Sequence, residues 1–171
     1  MLKIFYRNFI IFTGFQLVWF FSVFGEIYDL PLSGFIAGII YLSVYIYFSD
    51  NIKNTLKTCL YFASLGYLFD SLNSYLNLYV INSNLNIGLL PIWFITLWLS
   101  FATLFDKVLI FLKYKTFISI LLGIIFVPFT YYAGIILGIA ESRNIYIYLI
   151  IMIIFWGFYM YLYSFYLKKY N

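Results

Sequence analysis

Residues 116–140 read TFISILLGIIFVPFTYYAGIILGIA, 25 consecutive positions without a charged side chain. A helix needs about 20 mostly apolar residues to cross the hydrocarbon core of a bilayer. This run is long enough, and it predicts a transmembrane helix. Working outward from it, five further stretches qualify: Asn8–Gly25, Pro31–Ser49, Thr55–Tyr79, Leu89–Leu112 and Ile145–Leu167. Pro31 and Pro91 sit where a first helical turn accepts proline without losing a hydrogen bond. The connections are short, so the expected fold is all-α: a single integral membrane domain over residues 1–171, a bundle of about six transmembrane helices. The first stretch lacks a convincing small-residue cleavage site and is read as a retained helix rather than a signal peptide.

Composition supports this reading. The chain is 65% hydrophobic and 9% charged, against about 45–50% and about 25% in soluble domains. Too few charges are present to cover a water-facing surface. Phe and Tyr are abundant, but so are Ile, Asn and Lys, the set that an A+T-rich genome favours. Aromatic abundance therefore carries no functional weight. There is one cysteine, Cys59, and no histidine. An intramolecular disulfide is ruled out. Histidine-ligated haem, histidine di-iron chemistry, the usual zinc hydrolysis and Ser-His catalysis go with the histidines. No cofactor motif or metal-ligand cluster stands out, and the net charge of +4 has a topological explanation rather than a nucleic-acid one.

That explanation lies in the basic residues. Lys3 and Arg7 precede the first stretch, Lys53 and Lys57 flank the second connection, and Lys107, Lys113 and Lys115 flank the fourth. Lys168 and Lys169 follow the last stretch, so only Arg143 falls on the other side. Lysine and arginine accumulate on the cytoplasmic side of membrane proteins, which predicts cytoplasmic termini, with Glu26, Asp29 and Glu141 facing outward.

Polar side chains at membrane depth are costly and need an account. Asp70 is the sharpest: an aspartate there costs about 2.5–3.5 kcal/mol on insertion scales, and no Lys or Arg lies at its depth. Gly66, Asn73, Ser74 and Asn77 are three, four and seven residues from it and predict one polar stripe on the helix. Gln16 with Trp19, and Thr96, Ser100 and Thr103 near Trp93 and Trp98, reach similar depth. Pro128 removes a backbone hydrogen bond and predicts a kink, with Tyr131 and Tyr132 following it. Bundled together, Gln16, Asp70, Asn73, Ser100 and Tyr131 line one outward-opening pocket, with Trp19 and Trp98 beside it. The alternative is that such groups only glue helices together; that reading is favoured for Asn73, Asn77, Ser100 and Thr103. Asp106 beside Lys107 is read as snorkelling structure, and Trp93 and Trp156 as interfacial-belt residues. The spacings Gly34/Gly38 and Gly134/Gly138 predict close internal helix packing. The matching runs at 37–40 and 133–136 hint at an inverted repeat.

The segments FQLVWFFSVFG from Phe15, GYLFDSLNSYLNL from Gly66, LPIWFITLWLSFATLF from Leu90 and VPFTYYAGIILGIAE from Val127 together resemble a bacterial inner-membrane family, domain of unknown function 2878. The resemblance implies that Gln16, Trp19, Asp70, Trp93, Trp98, Pro128, Tyr131, Gly134 and Gly138 fall on recurrent positions. Where the family often carries Asn-His, this chain has Asp106-Lys107, so a mechanism needing that histidine does not transfer. Family genes tend to neighbour those of cyclopropane-type fatty-acid modification, which points to envelope lipids.

Three functions follow as expectations. The first is binding or transport of a lipid-like or small polar molecule around Asp70, with membrane lipids as partners. The second is a structural subunit that contacts other membrane proteins. The third, least favoured, is a lipid-modifying enzyme using Asp70, since general acid–base work calls for a second positioned titratable group and only tyrosines are near. No residue is assigned a catalytic role, and oligomeric state is left open.

Overall fold

The computed structural model of the chain describes residues 2–170, with side chains described over 4–169. Six helices form it: α1 (Leu2–Ile27), α2 (Leu32–Tyr47), α3 (Ile52–Tyr75), α4 (Ile92–Thr103), α5 (Thr116–Ile136) and α6 (Ile145–Tyr170). α4 continues through a π turn (Leu104–Val108) and a 3-10 turn (Leu109–Leu112). Four are long and apolar enough to cross a membrane: α1, α4 with its extension, α5 and α6. α2 is 16 residues long. α3 has the length, at 24 residues, but its polar stripe lowers its hydropathy.

Polarity is arranged inside out. Asp70, Asn73, Thr96, Ser100, Thr103 and Ser119 are buried, whereas Ile10, Phe20, Ile40, Leu68, Phe126, Ile154 and many other large apolar side chains face outward. Water-soluble monomers rarely expose so much contiguous apolar surface. α4 is central, packed against α1, α2 and α3, and α5 and α6 form a separate hairpin. Large rings join the two parts. Phe69 of α3 stacks on Phe155 of α6 with centroids 3.5 Å apart, and Trp98 of α4 stacks on Trp156 at 5.8 Å. Two buried hydroxyls on α6 fix its height: Tyr159 donates to the Phe62 carbonyl (2.7 Å) and Tyr163 to the Phe105 carbonyl (2.9 Å).

The basic residues gather at one end. Arg7 pairs with Asp50 at 3.6 Å, joining the start of α1 to the α2–α3 turn, and Lys168 donates to Thr116 at 3.0 Å, joining the end of α6 to the start of α5. At the opposite end the chain leaves three helices by one device. Asp29, Asn77 and Gly138 adopt left-handed φ of 56°, 54° and 76°. In each case the next residue's N–H reaches back to a carbonyl five residues earlier: Leu30 to Gly25, Leu78 to Asn73 and Ile139 to Gly134. This is the Schellman stop, which satisfies carbonyls that a helix end orphans. Beyond it, β1 (Val80–Ile81) pairs antiparallel with β4 (Ala140–Glu141), tying the α3–α4 and α5–α6 connections together. β2 (Asn86–Ile87) and β3 (Leu90–Pro91) form a small hairpin before α4.

These stops correct several boundaries. α3 ends at Tyr75 rather than Tyr79, so Asn77 belongs to the turn and not to the polar stripe. α5 ends at Ile136 rather than Ala140, so Gly138 serves as a chain reversal, not a packing notch. α5 also runs unbroken through Pro128. Gly34 and Gly38 do pack internally, against Ser22 of α1 and Thr96 of α4. Gly38 lies mid-helix and Gly134 at a helix end, so the two similar runs occupy unlike places. Trp93 and Trp156 are both buried rather than set in an outer belt.

A Cβ on Gly34 would stand 2.5 Å from the Ser22 Cα, a backbone atom that moves only if the helices part. Gly34→Ala is expected to lower stability by about 1–3 kcal/mol, the usual cost of overpacking. Gly157→Ala, which would meet two side-chain methyls, the nearer at 3.3 Å, should be nearly neutral. Thermal unfolding in detergent checks the pair.

Candidate functional site

The inward face of α3 carries Gly66, Asp70, Asn73 and Ser74, all buried. Gly66 and Asp70 lie one turn apart and receive one ring between them. A Cβ on Gly66 would collide with the six-membered ring of Trp98. The same indole donates its Nε1–H to Asp70 Oδ2 at 2.7 Å. From α5, the Tyr131 hydroxyl donates to the same oxygen at 2.8 Å. Three helices therefore meet at one carboxyl, which is 3% exposed. Both donors go to Oδ2. Among the described residues Oδ1 has no partner and is buried, as are the Tyr148 hydroxyl, the Trp156 Nε1 and the Ser100 Oγ. A buried acceptor left without a donor costs about 1–3 kcal/mol, and such groups are rare enough to call for an explanation.

Around this centre the tyrosines interlock. Tyr79 stacks on Tyr148 (4.8 Å, 13°) and meets Tyr131 edge-on (5.4 Å, 68°). Its hydroxyl donates to the Tyr131 carbonyl at 3.4 Å. At the outer rim of this layer Glu26 Oε1 accepts from Ser83 Oγ and Trp93 Nε1, each at 2.6 Å. That pairing binds the end of α1 to the α3–α4 connection.

Beside the carboxyl lies a cavity of about 450 Å³ between α1, α4, α5 and α6. Gln16, Trp19, Trp98 and Tyr131 are on its wall, with Phe15, Trp93, Phe101, Val127, Trp156 and the Tyr79 and Ile81 side chains of the connection. Among the described residues, no charged side chain lines it. Asp70 stands behind the wall, bonded to the wall residues Trp98 and Tyr131. Asn73 and Ser100 are buried but off the wall, and the Asn73 amide folds back to donate to the Phe69 carbonyl at 2.9 Å. The structure thus brings four of the seven candidate residues to the cavity and sets Asp70 one layer deeper.

Sequence reasoning missed Trp156, Tyr148 and Tyr79. For α6 a signal existed: Tyr148, Met152, Trp156, Tyr159, Tyr163 and Leu167, all buried, recur at spacings of three and four. It was masked because the opposite face of α6 is equally apolar.

Buried polar groups, an apolar exterior and four helices of spanning length class the chain with helical membrane proteins. More narrowly, it belongs to the family described as protein of unknown function (DUF2878), whose family model matches residues 8–162. No curated protein and no solved structure matches it.

If Asp70 is the anchor for both donors, Trp98→Phe and Tyr131→Phe should each lower stability by about 1–3 kcal/mol. In an Asp70→Leu background the same changes should cost less, with a coupling of about 0.5–3 kcal/mol. Denaturant unfolding of the mutant cycle in micelles measures it; strictly additive losses would mean that the bonds contribute nothing.

Proposed function

We propose that this chain is a six-span protein of a bacterial inner membrane, with both termini cytoplasmic, that holds one hydrocarbon chain of a membrane lipid in the cavity beside Asp70. The observation that carries the reading is the shape and chemistry of that cavity. Its lining runs from Leu122 to Gly134 on α5, about 18 Å at 1.5 Å per residue. A volume of about 450 Å³ over that length leaves a cross-section of roughly 25 Å², room for a single extended chain. Ligand pockets commonly occupy about 300–1,000 Å³. With no charged side chain among the described residues on the wall, a small ionic solute finds no partner there, whereas hydrocarbon does. The unpartnered Asp70 Oδ1 gives the site a latent acceptor, which a hydroxyl or amine near the chain reaches if Trp98 or Tyr131 gives way.

Six spans are supported by the outward faces of the two helices that hydropathy alone leaves out. α3 turns its polar groups inward and presents Leu60, Leu68 and Leu72 outward, and α2 presents Ile36, Ile40 and Val44. The collection of Lys and Arg at one end supports cytoplasmic termini. Reporter fusions after Tyr28 and after Arg143 should read on the opposite side of the membrane from fusions at either terminus.

Val127→Trp fills the cavity from its wall, and Asp70→Asn alters the group behind it. Lipid co-purifying with each variant, quantified per protein by mass spectrometry, is expected to fall several-fold for Val127→Trp and to change in composition for Asp70→Asn. Unchanged lipid in both, together with a stoichiometric protein partner, would replace this reading with that of a structural subunit.

A further inference from the structure

The large cavity is closed at both ends and open on one side. Its outer end is formed by Tyr79, Ile81, Trp93 and Ile139, all of them buried. Ile81 is held there by the β1–β4 pairing, and Trp93 by its bond to Glu26. At the basic end Leu104 and Leu112 close the cavity, and both are likewise buried. Among the described lining residues, the exposed ones are Phe12 of α1 with Phe126 and Thr130 of α5. Phe12 is 47% exposed and Phe126 62%. A side chain that borders a cavity and also faces outward marks its opening. The opening is therefore a slot between α1 and α5.

The slot sits at the middle of both helices. Phe126 is the central residue of α5 (Thr116–Ile136), and Phe12 and Gln16 lie within a turn of the centre of α1 (Leu2–Ile27). Both helices are of spanning length, so in a hydrocarbon core about 30 Å thick the slot opens about 15 Å from either headgroup layer. Its polar rim is uncharged: Gln16 and Trp19 on α1, Thr130 on α5. The Thr130 hydroxyl spends its hydrogen on the Val127 carbonyl at 2.8 Å. A phosphate or ammonium drawn to that depth sheds its water and meets no opposite charge.

We infer that the slot between α1 and α5 admits the methyl-end part of a lipid chain sideways from the bilayer, while the headgroup stays in its own layer outside the protein. The inference rests on the hydrocarbon reading of the cavity and sharpens it. At mid-depth a bilayer offers the ends of its chains and no headgroups, so the site selects a chain whatever headgroup carries it. With both ends of the cavity closed by buried side chains, the ligand enters from lipid rather than from water.

All four tryptophans of the chain line the cavity, and bromine on a lipid chain quenches indole emission at contact range. Trp93, Trp98 and Trp156 are buried; Trp19, which is partly exposed, is replaced by phenylalanine so that surrounding lipid does not quench it directly. The full chain is reconstituted in vesicles of phosphatidylcholine or phosphatidylglycerol brominated near the methyl end or near the carboxyl end. Methyl-end bromine is expected to quench several-fold more strongly than carboxyl-end bromine, and equally for the two headgroups. Thr130→Phe, a larger side chain at the exposed rim, should reduce that quenching several-fold. Should the Trp19→Phe chain fail to fold, Thr130→Phe is compared with the unsubstituted chain, in which Trp19 contributes to both. Quenching that needs one headgroup, is equal for the two bromine positions or ignores Thr130→Phe overturns lateral entry and leaves the hydrocarbon cavity standing. Absence of quenching by every lipid overturns both.

Discussion

A carboxyl group surrounded by hydrocarbon must draw its hydrogen bonds from the protein, because lipid offers none. Asp70 meets that requirement with an indole from α4 and a phenol from α5, and the arrangement of the bundle's outer half follows from it. Gly66 has to be glycine for the indole to lie flat against α3. Tyr131 has to project from α5 toward α3 rather than toward α6, which leaves Tyr79 and Tyr148 to fill the space between the connection and the hairpin. Trp156 then stacks on the far face of Trp98. Each step is a steric or hydrogen-bonding consequence of the one before, and together they leave the large apolar cavity bounded by the same two donors that shield Asp70.

The α5–α6 hairpin shows how little conventional packing this needs. Its helices pack closely on each other, whereas its contacts with the rest run through rings: Phe69 on Phe155, Trp98 on Trp156, Phe62 against Tyr159 and Tyr163. Aromatic side chains span more distance than Leu or Ala, so the hairpin stands off from α4 and a void persists between them. Small residues have the contrary effect on the other side of α4, where Gly34 and Gly38 bring α2 close to α1 and α4. The cavity lies where the rings are, and neither Gly34 nor Gly38 contributes to its wall.

Much of this was legible beforehand, for a physical reason: lipid penalises every exposed peptide group and charge, so helices, their number and the sorting of lysines leave strong marks in sequence. Asp70 was legible on the same ground, as the costliest residue in its helix. Its partners were not. Nothing in the spacing of Trp98 or Tyr131 tells which oxygen they serve, because that depends on how three helices are rotated against one another. Helix ends were misjudged wherever an apolar run continued past a stop. Asn77 and Gly138 end α3 and α5 through backbone conformation, while the residues after them stay apolar because they pack under the connections. The role of Asp106 was half visible. Its pairing with Lys107 follows from adjacency, whereas its bonds to Tyr45 and Thr55 depend on a π turn for which the sequence carries no recognised signal.

α4 is the element common to both ends of the molecule, and the π turn lets it serve both. A regular helix repeats its faces every 3.6 residues, so a side that offers Trp98 and Phe101 to the large cavity would persist along its length. One extra residue in a turn rotates everything after it by about 100°. Within that turn Asp106 bonds to Tyr45 of α2 and Thr55 of α3, while past it Leu109 and Leu112 close the lower end of the large cavity. The charged pair and the apolar lining thus occupy different sides of one helix at the same depth.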